Sequence, residues 1–207
     1  MRTARLLMAA ALLVGGSTQA SAQDWFYGVA YQTSLSVGST KDFVSDFSFR
    51  NFAIEARGPI NPKVSGGLYL AWNVLHTQTD EVISFSASDS IAPVDVSGDQ
   101  FRTVNAFPIM AQFDYYFNNQ PNRSVNGRII PSVGLGIGTY YDEARLDIGT
   151  SRITSNGWRF GLAPNVQLSY GLSRNSVMFF NARFNWGTKR NGNSLTYLTF
   201  GLGFAGK

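Results

Sequence analysis

Few side chains in this sequence could carry chemistry. His76 is the single histidine, and Glu81, Ser84 and Ser86 follow close behind it. A histidine that takes a proton from a serine while a carboxylate orients it is a minimal hydrolytic relay, but the three groups must converge in space. Here the serines and the glutamate fall in a polar stretch, Thr77 to Gln100, with no motif spacing, so His76 reads as an interfacial or loop histidine. The same stretch holds Asp80, Glu81, Asp89, Asp95 and Asp99 and neither Lys nor Arg. Carboxylates are hard ligands suited to divalent cations, and an acidic loop can also meet a basic partner or simply be solvated. With no cysteine, one histidine and no closely spaced carboxylate cluster, neither a transition-metal site nor a cofactor is expected. Five other charges, Glu55, Arg57, Asp114, Arg159 and Arg183, each sit between apolar or glycine neighbours and need elements that explain them.

Those elements begin after a leader. Arg2 and Arg5 precede an apolar run from Leu6 to Val14 and the small residues Ala20, Ser21 and Ala22, the pattern of a cleavable secretory signal peptide over residues 1–22. Its apolar core is about half the ~20 residues of a spanning helix. Removing it lowers the net charge from +4 to +2, a balance that does not suggest a nucleic-acid binder. Residues 23–207 fit one domain. They are rich in aromatics (16 Phe, 9 Tyr and 4 Trp in the chain) while charged residues make up 14%, well below the roughly 25% of ordinary soluble proteins.

Period-two alternation runs through the domain and predicts strands near residues 24–37, 47–57, 64–76, 101–117, 129–143, 157–170, 178–186 and 198–204. One face is apolar throughout, as with Phe107, Ile109, Ala111, Phe113 and Tyr115. The opposite face is mainly Gly, Ala, Ser, Asn and Gln, and it carries all five charges. An even number of meandering strands closes into a barrel without edges. A soluble barrel would fill its solvent face with Lys, Glu and Thr; small and polar residues suit a narrow lumen, which places the apolar face outside.

Two further asymmetries agree. Trp25, Tyr27, Phe117, Tyr170, Met178 and Phe204 gather at the end that holds the chain termini, and Trp72, Phe107, Tyr141, Trp158, Phe184 and Trp186 at the other, as two interfacial girdles. The connections on the terminal side are GPINPK, NNQPNRSVNG and GLSRNS, whereas the other side has three of the four longest, near residues 39–46, 77–100 and 142–156.

With its GVAY and VGLGIG strands and its closing YLTFGLGF, the chain resembles the small eight-stranded outer-membrane β-barrels, the broad class that includes OmpA, OmpX and OmpW. The fold expected is an all-β, eight-stranded antiparallel up-and-down transmembrane barrel. The resemblance implies residence in the outer membrane of a Gram-negative bacterium with the termini in the periplasm. It also implies contact with membrane lipid and lipopolysaccharide, insertion by the barrel assembly machinery after escort by periplasmic chaperones, and a monomeric state. Such barrels usually end on an aromatic residue; here Phe204 is followed by Ala205, Gly206 and Lys207.

Several expectations follow for sites. Glu55, Arg57, Asp114, Arg159 and Arg183 form a paired polar network that fills the lumen, since an isolated buried charge costs several kcal/mol or more. Gly134, Gly136 and Gly138 face the lumen and make room for groups such as Arg159 or Arg183. Pro108 and Pro164 each remove a ladder donor near mid-strand, the mark of a β-bulge or of a weakened wall through which an apolar ligand could leave sideways, as the likeness to OmpW implies. The function expected is non-enzymatic, a structural or surface-interaction role with at most restricted passage of small solutes. Two alternatives stand beside it: a carrier of small apolar ligands with lateral release, and, because some barrels of this size modify lipid A, a lipid-modifying enzyme built on His76.

Overall fold

The computed structural model describes residues 25–79, 83–85, 94–96, 100–118, 127–148, 151–190 and 192–207; the predicted signal peptide lies outside them. Ten strands follow one another: β1 (Phe26–Ser36), β2 (Phe47–Asn61), β3 (Val64–Thr79), β4 (Ile83–Phe85), β5 (Val94–Val96), β6 (Gln100–Tyr116), β7 (Ile129–Ile148), β8 (Ser151–Gly171), β9 (Ser176–Arg190) and β10 (Asn193–Gly206). The short β4 and β5 pair only with each other, and the other eight close an antiparallel barrel in the order β1-β10-β9-β8-β7-β6-β3-β2. The seam is sealed by β1 against β10, from Tyr27↔Gly206 to Ser36↔Tyr197.

Alternation sets the two faces as the sequence predicts. Tyr27, Val29, Tyr31, Phe52, Ile54, Phe113, Leu135, Val166, Leu168 and Leu202 are exposed on the outer wall, while Gln32, Glu55, Arg57, Gln112, Asp114, Asn165 and Arg183 are buried inside. This inverts the arrangement of a soluble protein, and the outer wall can only be stable against lipid. The far girdle is continuous over half the circumference: Trp72 stacks on Phe107 at 6.2 Å between ring centres, Phe107 meets Tyr141 at 6.2 Å, and Tyr141 meets Trp158 at 5.3 Å.

The glycine row of β7 is explained by register. Gly134 pairs with Asp114 on β6 and Asn165 on β8, Gly136 with Gln112 and Ala163, and Gly138 with Met110 and Gly161. The bare strip lets side chains from both neighbours lean across it: Asp114, Asn165 and Gln112 occupy the space a Cβ at Gly134 would need. At Gly136 the nearest atoms are the Arg183 and Gln112 side-chain ends, each 3.2 Å away. Arg183 is therefore the arginine the glycines accommodate; Arg159 stands elsewhere.

The far side of the barrel departs from expectation. Residues 142–156, read as a loop, continue both strands of a hairpin, paired from Asp142↔Gly157 up to Ile148↔Ser151. The tops of β6 (Gln100↔Ile148) and β3 (Thr79↔Gln100) join it, so four strands rise together above the aromatic belt. Beyond the membrane both faces of a strand are wet, and the apolar alternation that signals a strand is lost. The expected loop near residues 39–46 instead folds into the far mouth, starting with a 3₁₀ turn at Gly38–Thr40. Val44 is fully buried there, and Val74 is also covered. The β2–β3 ladder stops at Phe52↔Trp72, and above it the Asn51 side chain accepts the Val74 N–H at 2.7 Å while the Ser48 hydroxyl donates to the Val74 carbonyl.

Gly138→Ala places a methyl group against the Ile109 carbonyl oxygen and 2.9 Å from Met110 Cα, where only backbone could give way. It should cost about 2 kcal/mol or more, read as a lower urea midpoint of the heat-modifiable folded band, while Gly136→Ala, opposed by movable side-chain ends, should cost less than about 1 kcal/mol.

Candidate functional site

The lumen is filled in storeys. At the terminal end Phe26, Tyr116, Ile130, Val177, Phe179 and Ala205 make an apolar base, all buried. Between this base and the charges above it lies a cavity of about 20 Å³, lined in part by Phe26, Glu55, Arg57, Tyr116 and Phe179. That volume admits about one water.

The central storey holds four of the five predicted charges. Glu55 and Arg57 are two residues apart on β2 and so share the inner face; Asp114 reaches them from β6. The Arg57 guanidinium lies 2.5 Å from Glu55 and 3.3 Å from Asp114, and it donates a hydrogen bond to Gln167 Oε1 at 2.8 Å. Gln112 relays the network, donating to Asp114 Oδ1 at 2.7 Å and Asn165 Oδ1 at 2.9 Å and accepting from Arg183 at 2.8 Å. Arg183, 1% exposed, lays its guanidinium 3.8 Å from the centre of the Tyr69 ring. The Tyr69 hydroxyl donates in turn to Gln32 at 3.0 Å, so the chain of contacts crosses the lumen from β2 to β1. Two carboxylates match two guanidiniums, and the aromatic face takes the place of a third carboxylate beside Arg183.

Above this level Tyr140 and Tyr197 meet edge to face at 6.3 Å, tied to Asn185 at 3.1 Å and Asn73 at 3.1 Å. Arg159 stands higher still, apart from the other four charges. It binds Asp142 through two bonds, 2.8 and 3.2 Å, and donates to the Thr188 carbonyl at 3.1 Å; Arg190 reaches the same carboxylate at 3.2 Å. Asp142 and Arg190 were not singled out in the sequence, because their partnership with Arg159 depends on register: Asp142 is the diagonal cross-strand neighbour of Arg159, which faces Tyr140. The inward loop closes this mouth. Thr40 Oγ1 accepts the Thr196 N–H at 2.7 Å, and Thr77 Oγ1 accepts those of Ser45 and Asp46 at 2.7 and 2.9 Å. A recess of about 210 Å³ remains beside it, lined in part by Phe43, Asp142, Arg159, Arg190 and Ser194.

Neither proline makes a bulge. Pro108↔Tyr140 and Leu135↔Pro164 sit in unbroken ladders toward β7. On their other sides the ladders skip two pairs without changing register, from Leu70↔Ile109 to Asn73↔Ala106 and from Leu162↔Trp186 to Asn165↔Arg183. The missing proline N–H thins the β3–β6 and β8–β9 seams rather than bending a strand. His76 lies above the belt, its Nδ1 3.2 Å from Thr103 Oγ1 and its ring stacked on Phe101 at 6.2 Å. The side chains of Asp80, Glu81, Ser84, Ser86, Asp89, Asp95 and Asp99 lie outside the described residues.

Removing Asp114 takes one carboxylate from a centre that holds two guanidiniums, leaves Arg57 with Glu55 alone, and breaks the relay to Gln112. Asp114→Ala should therefore cost about 3 kcal/mol or more of unfolding free energy, and adding Arg57→Met should deepen the loss, because Glu55 would then be buried without its guanidinium.

No protein-family model and no curated protein matches the chain. Among solved structures, Neisserial surface protein A (NspA) superposes with a TM-score of 0.52 at 17% identity, over 88% of this chain and 95% of that one. The N-terminal β-barrel domain of Pseudomonas aeruginosa OprF gives 0.46 at 11% identity, over 89% and 97%. Ail, the attachment invasion locus protein of Yersinia pestis, gives 0.42 at 12% identity, over 87% and 95%. The likeness to NspA is one of fold, and it agrees with the closed ring and the inverted faces. The protein has the fold of the small eight-stranded outer-membrane β-barrels.

Proposed function

We propose that the protein is a non-enzymatic barrel of the Gram-negative outer membrane, with its termini in the periplasm, that serves as a structural element and a platform for interactions at the cell surface rather than as a pore. The observation that carries this reading is the filled lumen: an apolar base, a charge-balanced centre, a tyrosine layer and an inward-folded loop follow one another along the axis. An eight-stranded barrel is just wide enough for side chains to fill it. The four-stranded sheet above the belt supplies the platform, and on it residues 151–160 of β8 have no ladder pairing with β9 among the described residues. NspA, which shares the fold, is by its name a surface protein. Delivery by periplasmic chaperones, insertion by the assembly machinery and a monomeric state in lipid belong to the same reading.

A carrier of apolar ligands with lateral release is less well supported. The thinned seams at Pro108 and Pro164 would give the exit, but the wall at Pro108 is backed by the buried ring of Tyr140, and the interior behind it is polar and occupied. A lipid-modifying enzyme finds less support still, since among the described residues the partner of His76 Nδ1 is the Thr103 hydroxyl and not a carboxylate.

Planar-bilayer recordings of the refolded protein should show no steady conductance; a reproducible ohmic step would overturn the closed-lumen reading. Orientation can be tested separately because the chain has no cysteine. Ser155→Cys, on the projecting hairpin, should react with a membrane-impermeant maleimide in intact cells, and Ser173→Cys, in the turn between β8 and β9, should react only after the outer membrane is permeabilised.

A further inference from the structure

The two rims treat their charges differently. At the far rim four arginines have protein counter-charges, Arg145 with Glu143 at 2.7 Å, Arg152 with Asp147 at 2.5 Å, and Arg159 and Arg190 with Asp142, while the exposed Lys41 and Lys189 have no ion pair among the described residues. At the terminal rim Lys63, Arg128 and Arg174 are all exposed, and among the described residues none has a carboxylate within ion-pair distance. The sequence explains why: no Asp or Glu occurs in residues 56–79, 115–141 or 148–207, so the acidic residue nearest this rim in the described barrel is Asp114, buried and committed to Arg57. Asp24 and Arg123, which the sequence places toward the same end, lie outside the described residues.

Position and order add to the charge. The Lys63 carbonyl accepts the Tyr116 N–H at 2.8 Å, and the Arg128 carbonyl accepts the Gly171 N–H at 3.0 Å. Arg174 sits in a turn closed by the Leu172 and Ser173 N–H groups on the Ser176 carbonyl, at 3.0 and 3.1 Å. The three cations are thus held at fixed points around the ring. Each lies one to three residues from an exposed apolar side chain, Ile60, Ile129 or Leu172, that with Phe117 and Tyr170 marks the edge of the lipid-facing band. This is the depth of the headgroups, where each Lys or Arg near an anionic surface adds attraction.

We infer that the terminal rim binds the phosphates of anionic phospholipid headgroups, with Lys63, Arg128 and Arg174 as the contact points. In the cell this rests on the orientation proposed above, which turns the rim toward the phospholipid leaflet. The surface itself can be tested in a symmetric bilayer, where orientation does not enter.

The full chain is reconstituted in phosphatidylcholine vesicles containing trace spin-labelled phosphatidylglycerol or spin-labelled phosphatidylcholine, and the protein-associated fraction of each label is compared. The expected result is at least about a three-fold preference for phosphatidylglycerol at low salt, falling toward unity at 1 M salt, where the screening length is about 3 Å. Lys63→Gln/Arg128→Gln/Arg174→Gln should abolish the preference, each single Gln variant should lower it, and Arg128→Lys/Arg174→Lys should keep it. Heat-modifiable migration confirms that each variant is folded, and the single variants decide the matter if the triple one is not. Equal association of the two labels with the native protein overturns the proposal and would point to an acidic protein partner for this rim. So does a preference that survives the triple substitution but disappears on Lys41→Gln/Lys189→Gln, which would assign it to the opposite rim.

Discussion

Closure of the backbone ladder is the constraint from which the rest of the structure follows. In hydrocarbon an unpaired N–H or C=O has no water to bind, so a sheet can cross only if its first strand finds its last. Here β1 meets β10 along almost its whole length. Once closed with eight strands, the ring has one interior of fixed and small width, and every second residue must go there whatever its character. The outward set is then selected to be apolar and aromatic, and the inward set must be packed, neutralised and hydrogen-bonded within a space that cannot expand.

The lumen meets the packing and charge parts of that demand, and leaves some buried polar atoms, among them Asn181 Nδ2 and Arg183 Nε, without a protein hydrogen-bond partner among the described residues. Where large polar groups must pass one another, β7 withdraws its own side chains at Gly134, Gly136 and Gly138, and Asp114, Gln112 and Arg183 take the space. The central charges balance two against two. Arg183, held by Gln112 and the Tyr69 face rather than by an acid, avoids the need for a third buried carboxylate. The net positive charge of the Asp142, Arg159 and Arg190 cluster is placed nearer the mouth, where water moderates its cost. Filling of this kind favours a rigid cylinder over a conduit.

Much of this was legible in the sequence, and the limits of legibility are physical. Alternation against lipid is a strong signal, so the strand number, the sense of the faces and the glycine row could be read. The pairing of Glu55 with Arg57 could be anticipated because they are two apart on one strand. Arg159 could not be separated from the central network, because that depends on a register that alternation leaves undetermined. The rise of residues 142–156 as a hairpin was missed because strands in water lose the apolar contrast. The inward fold of residues 38–46 was missed because it is fixed by side-chain-to-backbone bonds from Thr40 and Thr77 that no periodicity announces.

The aromatic chain Trp72–Phe107–Tyr141–Trp158 runs across β3, β6, β7 and β8, the same four strands that continue upward as the projecting sheet. The molecule is therefore braced on the side where it is tallest. A sideways pull on the sheet is delivered through continuous strands to a row of interlocked rings at the interface, and resisting it requires those rings to be dragged out of their depth together. The shorter side, β9, β10, β1 and β2, bears none of that leverage. Mechanically the barrel behaves as a mast with its stays on one flank, stiffest where a load on the projecting sheet would fall.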